Sequence, residues 1–188
     1  AVNVVLLTIA GKRVLIDAGA GGTWVETAGK LGDNLGAAGI AADSIDHVVI
    51  THCHPDHLWG LIDDFDNSLR FAKATISVPS AEFDFWTAPG RAEAAGAAEG
   101  SIAGARRVLK QVEGRLKRVA ADAEPVPGLA YIAAPGHTPG QCAVLAQSGS
   151  DALLIAADTL FHPVISVAHP DWQPAQDMDG AVAAKSRR

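Results

Sequence analysis

The sequence has little of what staples, spans or coats. It carries only two cysteines, Cys53 and Cys142, in 188 residues. That allows one bridge at most and excludes a disulfide framework. No apolar run approaches the roughly 20 residues a membrane span needs, so no membrane partner is expected. Positive charge is scarce: 15 Lys and Arg stand against 21 Asp and Glu, a net charge of −6. Bulk electrostatics therefore give no footing for nucleic acid. Aromatics are few, with one Tyr and four Trp. Low-complexity stretches, linkers and short repeats are absent. The opening segment "AVNVVLLTIA" shows no basic leader or signal-peptide pattern, and no compartment follows from it.

What remains is 48% hydrophobic and 19% charged, the composition of a globular chain long enough for a real core. The β-branched runs Val4–Ile9 and Arg13–Ile16 read as two strands joined at Gly11-Lys12. A short helix is expected within residues 31–46, with Asp43 or Ser44 as a cap. Strands are expected at 47–51 and 74–79, and a helix over 80–86 capped by Ser80. Residues 91–121 read as helical, with Ile102, Leu109, Val112, Leu116 and Val119 as one apolar stripe. Within it Gly96, Gly100, Gly104 and Gly114 should weaken the helix. Three strands follow, in "LAYIAA", "QCAVLAQ" and "DALLIAAD". Strands, helices and strands again imply a layered α/β protein of one domain.

The seven histidines are not spread evenly: three fall within residues 52–57. A strand ending at Thr51 delivers His52 and His54, which face one side because extended residues two apart do so. Pro55 suits the first position of a helix, and Asp56 and His57 then turn toward a neighbouring point. Imidazole nitrogens and a carboxylate in this density suit Zn²⁺, and also Fe or Mn. A histidine-rich surface loop is the bland alternative, disfavoured by the agreement of strand, Pro and spacing. Eighty positions on, "APGHTPG" holds His137 in a stiff turn of Pro135, Gly136, Pro139 and Gly140. Two hydrophobic strands end in carboxylates, "VLIDAG" at Asp17 and "LLIAAD" at Asp158. Either alone can be a plain cap. Beside the histidines, one is expected to bridge two metals and the other to orient a ligand. Cys53 lies between two of the candidate ligands and reads as a small spacer, not a nucleophile.

His-x-His-x-Asp-His after a strand, a Gly-His-Thr-Pro-Gly turn and a strand ending in Asp resemble the metallo-β-lactamase superfamily. The segment "AEFDFW", the long helical stretch (about 88–123) and the 21-residue step from His137 to Asp158 look most like its methyl parathion hydrolase-like branch of phosphotriesterases and lactonases. The resemblance implies an αββα sandwich with a dinuclear site at one sheet edge. It implies His52, His54 and His137 on one metal, Asp56 and His57 on the other, Asp158 bridging and Asp17 supporting from behind. It implies two zinc ions, with Fe, Mn or Co allowed, and a metal-bound hydroxide that attacks an ester, lactone or phosphotriester. Asp56 is expected to combine metal binding with proton acceptance. The partner would be a small molecule, and a homodimer is allowed.

Two departures from the family pattern bear on these expectations. The family's last histidine ligand, well downstream of the bridging aspartate, has no counterpart before Arg188, so the chain is expected to be incomplete at both ends, with one metal or none. A catalytically impaired metal-binding module is therefore one alternative, and an iron-dependent oxidoreductase on the same scaffold another. Quorum-quenching lactonases of the family carry a Tyr three residues after the bridging Asp, where this chain has Phe161. Trp59, Phe85, Trp86, Phe161 and His162 are the expected pocket residues.

Overall fold

The computed structural model describes residues 3–188. Five strands form a mixed sheet: β1 (Val5–Ile9), β2 (Lys12–Ile16), β3 (His47–Val49), β4 (Thr75–Pro79) and β5 (Leu116–Val119), paired in that order. Only β1 and β2 are antiparallel. Ala10 and Gly11, both with positive φ, make the tight link between them. The pairs β2–β3, β3–β4 and β4–β5 are parallel, each needing a crossover. A second, antiparallel sheet contains β6 (Leu129–Ala133), β7 (Cys142–Ser148) and β8 (Asp151–Ile155).

The central strands are buried on both faces, which is why they read as continuous apolar runs. Leu15, Val48, Ile76 and Val78 point to a helical layer, where they meet Leu35, Leu58, Phe85, Trp86, Ile102 and Leu109. Val14, Ile16 and Val49 point the other way, against Leu129, Tyr131, Cys142 and Val144 of the second sheet. The helical layer holds α1 (Leu31–Ala37), α2 (Pro55–Leu58), α3 (Ser80–Thr87), α4 (Arg91–Ala94) and α5 (Glu99–Gln111). The short α6 (Ile165–Ala168) and α7 (Gly180–Arg187) follow the second sheet. Asp179 caps α7, accepting a hydrogen bond from the Val182 amide. Among the described residues no helix is long and apolar enough to cross a membrane.

Several local expectations are corrected. The helix over 91–121 is instead α4, α5, a short 3-10 turn and strand β5. Leu116 and Val119 belong to that strand, with Lys117 and Arg118 exposed between them. Three-residue spacing imitated a helical stripe where a short edge strand lies. Ser80 opens α3 without capping it, since Pro79 holds the cap position with no side-chain bond. Asp43 and Ser44 lie inside a 3-10 turn and cap nothing. Gly104 is more than a weak point: a Cβ there would lie 2.2 Å from the Trp59 ring, so its bareness makes room for that indole.

The two sheets are also pinned together near one end. Tyr131 donates its buried hydroxyl to the Ile50 carbonyl at 2.7 Å, and the Cys142 amide donates to the Thr51 carbonyl at 3.1 Å. Both ties reach the segment that runs on into His52.

Candidate metal centre

β3 ends at Val49, two residues short of the expected Thr51, and the chain bends on through Thr51 to His54, whose backbone (φ −67°, ψ 158°) precedes Pro55 at the first helical position. His52 and His54 still come to one side, and α2 turns Asp56 and His57 toward the neighbouring position. The turn between β6 and β7 supplies His137, and a 3-10 turn after β8 (Ala157–Thr159) supplies Asp158. Asp158 therefore lies beyond its strand end, following Ala157 at φ 49°. Asp17 itself has φ 62°, left-handed backbone that aspartate tolerates better than most residues. Strained backbone of this kind concentrates at functional sites.

These side chains form two adjoining clusters. In the first, His54 Nδ1 lies 3.2 Å from His52 Nε2 and 2.8 Å from His137 Nε2. In the second, His57 Nε2 lies 3.3 Å from Asp158 Oδ1 and 3.6 Å from Asp56 Oδ2. The other Asp158 oxygen is 3.4 Å from His137 Nε2, so this carboxylate spans both clusters. Donor atoms of His52, His54 and His137 lie within 4.8 Å of one another, as do those of His52, His57 and Asp158. Ligands at ~2.1 Å from a tetrahedral zinc stand about 3.4 Å apart. The observed spacings fit that polyhedron.

The protonation chemistry fits as well. Burial and mutual repulsion hold the pKa of His52 well below the usual imidazole value. Burial and the neighbouring His137 and His57 push His54 down to about 3. Burial likewise lowers His137, against the opposing pull of Asp158 and Asp177. Neutral imidazoles present lone pairs, and three such nitrogens converging cannot all be satisfied by shared protons. A cation satisfies them together. Thr51 Oγ1 is 2.9 Å from Asp17 Oδ2 and 3.2 Å from His52 Nδ1. If the hydroxyl donates to Asp17, it accepts from Nδ1, which leaves Nε2 of His52 as the free base.

His57 is set differently. Its Nδ1 lies 2.7 Å from Asp17 Oδ2, while the Thr51 amide donates to Asp17 Oδ1 at 2.8 Å. Burial opposes charge on His57, but Asp17 and Asp158 outweigh it and hold its pKa well above the usual value. This carboxylate–histidine arrangement fixes the ring and directs Nε2 at Asp56 and Asp158. Burial also opposes charge on Asp158, and the hydrogen bond and charge of His57 overcome it, leaving its pKa lowered.

The expected pocket residues separate. Phe161 stands edge-on to His137 with ring centres 5.3 Å apart and is 38% exposed, so it borders the cluster. Phe85 and Trp86 do not line an open pocket: both are buried in the helical core, although Trp86 meets His54 edge-on at 5.5 Å. Trp59 packs over Gly104. His162 turns its Nδ1 to the amides of Val164 and Ile165 at the start of α6 and stands outside both donor clusters, as does His169, stacked on Trp172. A cavity of about 780 Å³ opens beside Asp56, walled by Leu6, Leu15, Trp24, Leu31 and Leu35. Most of its lining precedes the histidine motif, where no pocket signal stood out in the sequence. Neither cysteine offers a nucleophile, since both are buried with raised thiol pKa values, Cys53 well above the usual range and Cys142 at about 12.

Two further carboxylates were not singled out from sequence. Glu82 is fully buried behind the first cluster. Asp177, also enclosed, has one oxygen 3.5 Å from His137 Nδ1 and the other 3.1 Å from Arg187. Glu82 lies within the "AEFDFW" segment but resembles any exposed helix glutamate there, and Asp177 stands in a loop with no motif to mark it.

The chain belongs to the metallo-β-lactamase superfamily, whose family profile matches residues 1–188. It is similar over 99% of its length to AidC, described as a dizinc quorum-quenching lactonase in complex with a product N-hexanoyl-L-homoserine, at 30% identity and a TM-score of 0.86. Hydrolase AbOPH of the β-lactamase superfamily shares 25% identity over 99% of this chain, with a TM-score of 0.89. A probable metal-dependent hydrolase from Staphylococcus aureus, at 22% identity and a TM-score of 0.77, shares the fold. The chain covers 66% of AidC and 65% of AbOPH, about two thirds of their lengths. No protein of curated function matches the sequence.

Proposed function

We propose that this chain carries the metal centre of a hydrolase that opens an ester-type bond, with lactones as the favoured substrates. The single observation that carries this reading is the convergence of His52, His54 and His137 at 2.8–3.2 Å around His54 Nδ1, with Asp158 joining them to His57. In this reading His52, His54, His137 and Asp158 hold one metal, zinc by the character of the donors. Asp56, His57 and Asp158 offer a thinner second site. Bound metal supplies Lewis acidity and a water made acidic enough to deprotonate near neutral pH. The chain's own residues do the rest. Asp17 and Thr51 hold His57 and His52 in their working orientations. Asp158 sets the spacing between the two positions. Asp56, which lines the 780 Å³ cavity, would hold a proton between solvent and substrate.

Lactones are favoured by the likeness to AidC. The methyl parathion hydrolase-like branch, with phosphotriesters as substrates, is the second choice. Phe161 beside His137 offers no hydroxyl, so a leaving group cannot take a proton from that position. The test is a panel of lactones, aryl esters and phosphotriesters presented to zinc-loaded chain and to Asp158→Ala. Lactone turnover that falls at least 100-fold in the variant supports the proposal. Equal turnover in Asp158→Ala with full metal content would reduce Asp158 to a turn residue.

A further inference from the structure

Glu82 lies in the first turn of α3 and is wholly buried, yet among the described residues no cation pairs with it. Four neutral donors surround it instead. Oε2 accepts from the Cys53 amide at 2.9 Å and from Trp86 Nε1 at 2.8 Å. Oε1 accepts from Thr138 Oγ1 at 2.5 Å and from the Gly140 amide at 2.9 Å. Burying a carboxylate is expensive unless its lone pairs are filled. Here all four bonds run to other groups, and none caps an amide of the first turn of α3.

The sequence positions of the donors give the arrangement its meaning. Cys53 is the residue between His52 and His54. Thr138 directly follows His137, and Gly140 closes the same turn. One oxygen thus grips the segment bearing two of the converging histidines, and the other grips the turn bearing the third. The Trp86 indole held by Oε2 is the ring that meets His54 edge-on. Gly140 shows how closely α3 is seated, since a Cβ there would lie 2.4 Å from the Glu82 nitrogen. The two ligand-bearing segments are 83 residues apart at His54 and His137. The Cys142–Thr51 and Tyr131–Ile50 bonds, which also link the two sheets, lie outside both ligand turns.

We infer that Glu82 is a positioning residue, a buried clamp that holds the His52–His54 segment and the His137 turn in register so that the three nitrogens are assembled before metal arrives. The inference rests on reading those histidines as metal ligands. Glutamine at this position keeps the shape but turns one oxygen into a donor. Facing Cys53 and Trp86 it meets only N–H donors; facing the other side, the Thr138 hydroxyl can turn to accept but the Gly140 amide loses its acceptor. At least one bond of the clamp is lost either way.

The experiment is zinc binding to metal-free chain by competition with a chromophoric chelator, alongside the cobalt(II) absorption spectrum, for wild type and Glu82→Gln. Outer partners of metal ligands are typically worth 10- to 100-fold in affinity. The clamp predicts a folded Glu82→Gln whose first equivalent of zinc binds about 10- to 100-fold more weakly, with a shifted cobalt spectrum. A folded Glu82→Gln that binds zinc within twofold of wild type and keeps its cobalt spectrum overturns the clamp, even if its thermal midpoint falls. Should Glu82→Gln not fold, Thr138→Val removes one arm on the His137 side and is read in the same way, with severalfold weaker zinc binding expected and unchanged binding overturning the clamp. Wild-type chain that takes up no zinc would instead overturn the metal reading beneath it.

Discussion

His54 sits in the middle of the first cluster, against both His52 and His137. Its pKa is pushed down to about 3 by burial and by the histidines around it, and His52 and His137 are lowered for the same reasons. His47, half-buried beside Ser77, falls to about 4. For each of these the unfolded chain binds a proton near pH 6.5 that the folded chain refuses. Folding stability of metal-free chain should therefore be lost progressively as pH falls below about 6.5 toward 3–4. His57 has the opposite sign. Its raised pKa contributes stability that is fully present below about pH 6.5 and is lost as pH rises through the folded value. Four groups against one give a thermal midpoint that drops on acidification from pH 6.5 to 4. A midpoint that rises over that range would show that these histidines are charged in the fold.

Asp17 carries a related prediction. It holds His57 Nδ1 at 2.7 Å and receives two bonds from Thr51. Asp17→Asn keeps the size and loses the charge that fixes the ring. Metal affinity or turnover should fall about 10- to 100-fold, with the larger loss at the second equivalent of metal. Equal weakening of both equivalents would mean that Asp17 serves the whole fold instead of His57.

At the scale of elements, α5 gives a paired test. Gly100 meets nothing within 4 Å, whereas Gly104 faces the Trp59 ring at 2.2 Å. Helix propensity alone favours alanine at both by up to about 1 kcal/mol. Gly100→Ala should gain that, and Gly104→Ala should instead lose about 1–3 kcal/mol to overpacking, measured by denaturant unfolding. Stabilisation by both would show that Trp59 has room to move.

The contrast shows what a sequence discloses. Elements with their own periodicity or punctuation are legible: β2 and β4 as apolar runs, Pro55 at a helix start, the Pro-Gly turn around His137. The histidine motif is legible because its donors are close in sequence and chemically unlike core residues. Contacts between distant segments leave no such mark. Strand β5 is defined by its pairing with β4, and its Leu116 and Val119 imitate a helical stripe. Glu82 looks like any helix surface glutamate until α3 is docked on both ligand segments. Phe85 and Trp86 resemble pocket aromatics because burial depends on what α5 covers.

For the whole molecule, the mixed sheet delivers β3 and the segment after it to the same end as the β6–β7 turn and the end of β8. Two sheets packed through Val14, Ile16, Tyr131 and Val144 make that meeting rigid. The first cluster has three histidines and a shared aspartate, and the second has His57, Asp56 and the same aspartate. The molecule should therefore bind one equivalent of zinc tightly and a second more weakly.

An equilibrium titration of zinc into metal-free chain, with lactone hydrolysis followed after each addition, tests the central claim most directly. The expected result is no hydrolysis without metal, turnover that appears with bound zinc, and loss of the tight equivalent in His54→Ala. Hydrolysis that persists in metal-free chain, or tight zinc binding that survives His54→Ala unchanged, would contradict it.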